Sequence, residues 1–235
     1  METSQQLSPP RGLRVVVKVV VAVLCGAVLV GCLDPTTGRP PGVNEPVAQY
    51  RSSVSTVSAA DLGSSWRQGC PVGPAELRQV RVDYWGYDGL IHQGNLIVHR
   101  DVADDVAAAF GGLYRSRFQI RRIHPVTRYG SNDDASMAAN NTSAFNCRRT
   151  TGGTKWSEHA YGRALDINPV QNPYVGTSST VLPEAAKPWA NRKLVVPGMV
   201  HPNGPAVKAF ATIGWRWGGS WSSPKDYQHF SASGR

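Results

Sequence analysis

The chain has 235 residues, is 41% hydrophobic and carries a formal net charge of +9. This length allows one well-filled core with appendages rather than several domains. The basic residues are scattered without a long basic run, which argues against a nucleic-acid partner and for attraction to anionic surfaces such as membrane lipid or cell-wall polymers.

The first segment reads as an export signal. Arg11, Arg14 and Lys18 form a basic start, and Val19 to Val30 is an apolar run of 12 residues. A spanning helix needs about 20 such residues, whereas the apolar part of a signal peptide is this short. The run ends Leu29-Val30-Gly31-Cys32. That ending resembles the lipobox of bacterial lipoproteins, which implies cleavage before Cys32 and lipid attachment to its sulfur. The alternatives are an ordinary secretory signal or an uncleaved anchor lengthened through Val15 to Val17. Loss of residues 1–31 removes Arg11, Arg14, Lys18 and Glu2 and leaves +7. The expectation is an exported protein, lipid-anchored to the outer face of the bacterial cytoplasmic membrane and facing the cell wall.

The cysteines agree with export. Of four, Cys25 leaves with the signal and Cys32 carries lipid, so Cys70 and Cys147 remain as a pair. In an oxidising compartment a disulfide is their expected state; two buried free thiols are the alternative.

Residues 32–65 are rich in Pro, Gly, Ser and Thr, as in Asp34-Pro35-Thr36-Thr37-Gly38-Arg39-Pro40-Pro41-Gly42, and read as a flexible tether. Within them Val54 to Leu62 suggests a short helix leading into the domain. The folded domain is expected over 66–235. Gln79 to Tyr84 alternates like a strand and Asn95 to His99 is another. Val102, Val106, Phe110 and Leu113 then recur at helical spacing behind Asp101. Ile120 to Ile123, Ala164 to Ile167 and Tyr227 to Phe230 read as strands, and Asn203 to Ala211 as a helix ended by Gly214. Strands and helices mix without regular β-α-β alternation. The predicted class is α+β, an antiparallel sheet with helices packed on one face.

Two motifs carry chemistry. Ser157-Glu158-His159-Ala160-Tyr161-Gly162-Arg163-Ala164-Leu165-Asp166 offers an imidazole and a carboxylate, and Asp226-Tyr227-Gln228-His229 offers another of each. A catalytic zinc site needs three protein ligands of these kinds and an open fourth position. A carboxylate on a core strand is costly unless it is paired or binds a metal, and Asp166 sits in such a strand. Asp226 and His229 are three apart, so one regular strand would send them to opposite faces. Asp226 is therefore expected on a loop or bend before the strand, near the metal but not bound to it.

The pattern Ser157-x-His159-x-x-Gly162-x-Ala164-x-Asp166 with Asp226-x-x-His229 resembles the zinc D-alanyl-D-alanine carboxypeptidases and L-alanyl-D-glutamate endopeptidases. These include VanY-type D,D-carboxypeptidases and phage endolysin peptidases. Asn140-Asn141-Thr142-Ser143-Ala144-Phe145-Asn146-Cys147-Arg148 and Gly218-Gly219-x-Trp221 also look like family signatures. The resemblance implies a hedgehog/D,D-peptidase-like fold, a Zn2+ cofactor and the peptide stem of peptidoglycan as substrate. It implies His159, Asp166 and His229 as zinc ligands and Asp226 as general base. It implies an arginine that stabilises the oxyanion or binds substrate; Arg148 is the best match, with Arg149 or a purely structural role as the alternatives. Ser157 is expected to shape the site, and Trp221 to wall a substrate cleft or to pack in the core. A monomer is expected. The competing reading is a non-catalytic zinc-containing lipoprotein module that binds cell wall or a partner, since the same fold hosts such zinc binders.

The anchor is testable directly. Cys32→Ala is predicted to move the protein from the membrane fraction to the medium or to leave it unprocessed. Wild-type fractionation and gel migration of this variant would exclude lipid at Cys32.

Overall fold

The computed structural model describes residues 48–178 and 180–235. The expected signal segment, Cys32 and the start of the tether lie outside them. Among the described residues no helix is long and apolar enough to cross a membrane.

The order of elements is β1 (Ser52–Thr56), α1 (Ala59–Leu62), β2 (Leu77–Trp85), β3 (Ile91–His99), α2 (Ala103–Arg115), α3 (Asp133–Ala138), β4 (Ala164–Asp166), β5 (Tyr174–Val175), β6 (Val181–Leu182), α4 (Pro205–Ala211), β7 (Arg216–Trp217), β8 (Lys225–Asp226) and β9 (His229–Ser231). Among the described residues these strands pair antiparallel, in three three-stranded sheets ordered β1-β2-β3, β4-β9-β7 and β6-β5-β8. The class is α+β, as expected. The single sheet expected from the sequence is instead divided, and the strands of the second and third sheets are only two or three residues long.

The β2–β3 hairpin organises the rest. Val80 and Val82 on β2, with Leu96 and Val98 on β3, turn to one face and pack against Val106, Phe110 and Leu113 of α2. Burying each such side chain contributes about 1.5–3 kcal/mol. α4 packs beside α2, with Phe210 edge-on to Phe110 and stacked towards Phe230 of β9. Leu77 and Ile97 turn to the opposite face and meet Phe145, Cys147 and Leu62. That second cluster carries the segment leading into the first motif.

Several boundaries differ from expectation. Residues 52–56 are a strand rather than tether or helix: β1 pairs with β2 from Ser52↔Val82 to Thr56↔Arg78. Its side chains are exposed at every position, so no apolar periodicity marks it; backbone pairing holds it to the edge. The helical turn that was expected there is confined to Ala59–Leu62, capped by Ser58. The folded unit thus begins before residue 66. Ile120 to Ile123 makes only isolated bridges, Ile123 pairing with Thr142, although both isoleucines are fully buried.

Cys70 and Cys147 form a disulfide, the pairing expected from the sequence. It ties the entry of the domain to the segment just before Arg148. Cys70→Ser is predicted to destabilise the domain by about 2–5 kcal/mol. Cys147→Ser should do the same and the double variant no more, as measured by denaturant unfolding. Additive losses would mean that the two sulfurs stabilise the fold separately.

Candidate metal centre

The ladder between β4 and β9 builds the centre. Its register sets Leu165 opposite Phe230 and Asp166 opposite His229. Leu165, Ile167 and Phe230 turn into the core. Strand alternation then turns Asp166 and His229 to the other face, where they meet at 3.3 Å between Oδ1 and Nδ1.

His159 arrives from a 3-10 turn over Glu158–Tyr161. Ser157 caps that turn, its Oγ accepting from the His159 backbone N–H at 3.3 Å, and its own N–H reaches the Arg148 carbonyl. Gly162 ends the turn at φ +66°, where a Cβ would stand 2.6 Å from the His99 backbone nitrogen. Only glycine lets the chain turn this close to the β2–β3 hairpin and enter β4.

His159, Asp166 and His229 are all buried and offer donor atoms within 4.8 Å of one another. His159 Nε2 lies 3.2 Å from His229 Nδ1 and 3.3 Å from Asp166 Oδ2. Donors on a tetrahedral ion with bonds of about 2.0–2.1 Å stand about 3.3 Å apart, so the three spacings suit such an ion. The outer nitrogens are also committed. His159 Nδ1 donates to the Ala144 carbonyl at 2.7 Å, and His229 Nε2 donates to the main-chain oxygen of Arg235 at 3.1 Å. Each ring therefore keeps its inner nitrogen for the centre. Two inward imidazole nitrogens and a carboxylate form a donor set that a divalent cation fits.

Burial alone would raise the Asp166 pKa, but the charges of His159 and His229 and their hydrogen bonds outweigh it and hold the carboxyl below its usual range. Burial alone would lower His229, yet its hydrogen bond to Asp166 and the charges of Asp166 and Asp226 leave it raised. In the metal-free protein a proton and a metal ion thus compete for the same place.

The sequence suggested a loop or bend for Asp226, and the structure has it at the end of a short strand that runs straight into a bend. It lies in β8, paired with Tyr174 of β5 in a different sheet from His229. The chain bends at Tyr227 and Gln228, where the Trp217 indole donates to the Tyr227 carbonyl and Ile167 N–H donates to that of Gln228. The bend does what the three-residue spacing demanded, bringing Asp226 to the centre from another direction. Gly218 makes room for it, since a Cβ there would stand 2.7 Å from the Asp226 carbonyl oxygen and 3.3 Å from His229 Cβ. Asp226 Oδ1 is sealed from solvent and accepts no hydrogen bond. Burial, and then the Asp166 charge, push its pKa up to about 6, against the opposing pull of His229, His159 and Arg148.

A cavity of about 370 Å³ opens over these groups, walled by Arg148, Trp156, Tyr174 and Trp221 among others. Arg148 faces it and is held by Asp133, 3.0 Å from its Nε; the same carboxylate accepts from Asn146 Nδ2. Arg149 faces away, stacked 3.6 Å over the Trp156 ring and bonded to the Thr154 carbonyl. Of the two arginines, Arg148 is the one at the centre. Trp221 lies 5.5 Å from His229, ring to ring. Residues without a sequence signal also contribute: Tyr174 lines the cavity, and the carbonyls of Ala144 and Arg235 orient the imidazoles. Main-chain oxygens have no residue identity to read, although Ala144 lies inside one of the segments singled out above.

Three donors that could hold a metal ion thus lie together, with a carboxylate nearby and a cavity lined by His159, Asp226 and His229. Residues 151–232 match the family model described as D-alanyl-D-alanine carboxypeptidase. The match spans His159, Asp166, Asp226 and His229, and its description is that of a peptidase, the enzyme class expected from the motifs. No curated protein and no solved structure matches the chain significantly.

The domain is predicted to bind about one divalent ion, with Zn2+ as the probe, and His159→Ala or His229→Ala should abolish binding. Since His229 is held above its ordinary pKa, its proton competes increasingly as pH falls. Metal affinity should drop by about tenfold per pH unit for one displaced proton once His229 is protonated. Chelator competition across pH measures this, and a flat profile would contradict His229 as a ligand.

Proposed function

We propose that the protein is a zinc-dependent peptidase that hydrolyses the peptide stem of bacterial peptidoglycan, as a D-alanyl-D-alanine carboxypeptidase. The observation that carries this reading is the unbonded Asp226 Oδ1 next to the His159–Asp166–His229 donor set. A purely structural ion calls for four closed ligands and no base. The family match over 151–232 supports the substrate class.

His159, Asp166 and His229 would hold zinc, which when bound supplies Lewis acidity to activate water and polarise the scissile carbonyl. Asp226 accepts the proton of the attacking water at Oδ1 and delivers it to the leaving amine. Its raised pKa suits both halves of that task, because a base near the working pH can take a proton and return it. Arg148 directs its guanidinium into the cavity and offsets negative charge developing on the carbonyl oxygen. Asp133 keeps that guanidinium in place. Trp221, Tyr174 and Trp156 wall the peptide and reduce its access to water.

Export and attachment through Cys32 belong to the same proposal. They are supported by the Leu29-Val30-Gly31-Cys32 run and are compatible with the Cys70–Cys147 disulfide, since disulfides persist in oxidising compartments.

Asp226→Asn separates hydrolysis from metal binding. It retains size but cannot accept a proton. Zinc content and folding should stay at wild-type levels, while release of terminal D-alanine from muropeptides, followed by mass spectrometry, should fall by about 10²–10⁴-fold. A zinc-loaded, folded variant with wild-type turnover would sink the mechanism. A wild type that binds zinc and cell wall but cleaves no muropeptide would favour the non-catalytic module.

A further inference from the structure

The two imidazoles of the centre are steadied in different ways. His159 leans on the Ala144 carbonyl, within a segment bridged to β4 through Ser143↔Asp166. His229 leans on the Arg235 main-chain oxygen, which is reached only because residues 232–235 fold back over the end of β9. We infer that these residues form a hook whose main-chain oxygen at Arg235 is a positioning group for His229, fixing the tautomer that leaves Nδ1 free for the metal.

The hook is held at several points. Ala232 N–H donates to the Arg163 carbonyl at 3.0 Å. The Trp221 indole N–H donates to the Gly234 carbonyl at 2.8 Å. Ser231 Oγ donates to the same Arg235 oxygen at 2.8 Å, so hydroxyl and imidazole converge on one acceptor. Arg235 N–H returns to Ser233 Oγ at 3.2 Å. Gly234 turns at φ +80°, and a Cβ there would stand 2.9 Å from Arg216 Cδ. These contacts bring together residues from the bend after β7, from β9 and from the hook itself. Trp221 acquires a second role: it pins the hook through its indole nitrogen while its ring packs against His229.

The chemical consequence follows from the imidazole. A neutral ring has one N–H and one lone pair, and the hydrogen bond made by one nitrogen decides which is which. His229 is 5% exposed, so its N–H needs a protein acceptor. With Nε2–H bonded to Arg235, the lone pair is on Nδ1, facing His159 and Asp166. Without the hook the proton can move to Nδ1 and bond to Asp166, which puts hydrogen where metal belongs. Loss of an outer partner of a metal-ligating histidine typically costs 10–100-fold in metal affinity.

This inference rests on His229 as a metal ligand and is independent of peptide hydrolysis. Its test compares the full chain with a chain ending at Ala232 and with Trp221→Phe, which keeps an aromatic ring but loses the indole N–H. Ring 15N NMR of the metal-free proteins, titrated upward until the His159 and His229 resonances stop moving, reports the tautomer of each neutral histidine. Chelator competition with Zn2+ alone reports affinity. In the full chain His229 should be the Nε2–H tautomer. The shortened chain should lose that preference and bind zinc about 10–100-fold more weakly, with Trp221→Phe in between. His159 should remain Nδ1–H throughout, which shows that the fold persists. A full chain with His229 as Nδ1–H, or variants with unchanged tautomer and affinity, would overturn the inference. If the shortened chain does not fold, Trp221→Phe decides by the same two readings. If the full chain binds no zinc, the proposed peptidase chemistry falls, while the tautomers of the metal-free chain still decide for or against the hook.

Discussion

The β4–β9 pairing puts Asp166 directly across from His229, and the rest of the centre depends on that register. Its driving force lies on the opposite face, where Leu165, Ile167 and Phe230 enter the core beside Phe210 and α2. A slip of one residue would drive Asp166 and His229 into that core and expose Leu165 and Phe230 to the cavity. Hydrophobic burial therefore fixes the separation of two polar groups on the opposite face of the ladder. A buried carboxylate is costly by itself, and here two imidazoles offset the cost.

The third donor depends on a different contact. His159 hangs from a short turn wedged by Gly162 against the β2–β3 hairpin. The segment before it runs beside β4, so one stretch of chain supplies the Ala144 carbonyl, the disulfide at Cys147 and the guanidinium of Arg148. The disulfide sits in the second apolar cluster with Leu77 and Ile97. Stability and site geometry share these atoms, and loosening the cluster would be felt at His159 and Arg148 together.

How much of this was legible in the sequence varies by residue. The motifs that hold His159, Asp166, Asp226 and His229 were legible because their residue types and spacing resemble a family, and the structure brings the first, second and last of these side chains together. The β2–β3 hairpin and α2 were legible from their periodic apolar residues. β1 was not, because Ser52–Thr56 is exposed throughout and is held by backbone pairing. The division into three sheets was not, because strands of two residues leave no period to detect. Asp226 shows the limit most clearly. The spacing to His229 correctly excluded one regular strand through both and pointed to a loop or bend, but it did not show that the bend joins two strands of different sheets. The partners of the imidazoles were invisible for a simpler reason: they are main-chain oxygens.

The separation of Asp226 from the metal donors also matters for how such a centre can diverge. The donors belong to β4, β9 and the turn before β4, whereas Asp226 belongs to the β6-β5-β8 sheet. Tyr227 and Gln228 are the only residues between β8 and β9. Drift in the small outer sheet can therefore bring the carboxylate nearer or further while leaving the register of the inner ladder intact. A shorter or longer acidic side chain at this position can be matched by a modest retreat or advance of one strand. Insertions in the segments flanking β5 and β6 can reshape the mouth of the cavity along the same route. In the proposed enzyme the base and the cavity mouth would vary on one sheet while the donor set stays on another.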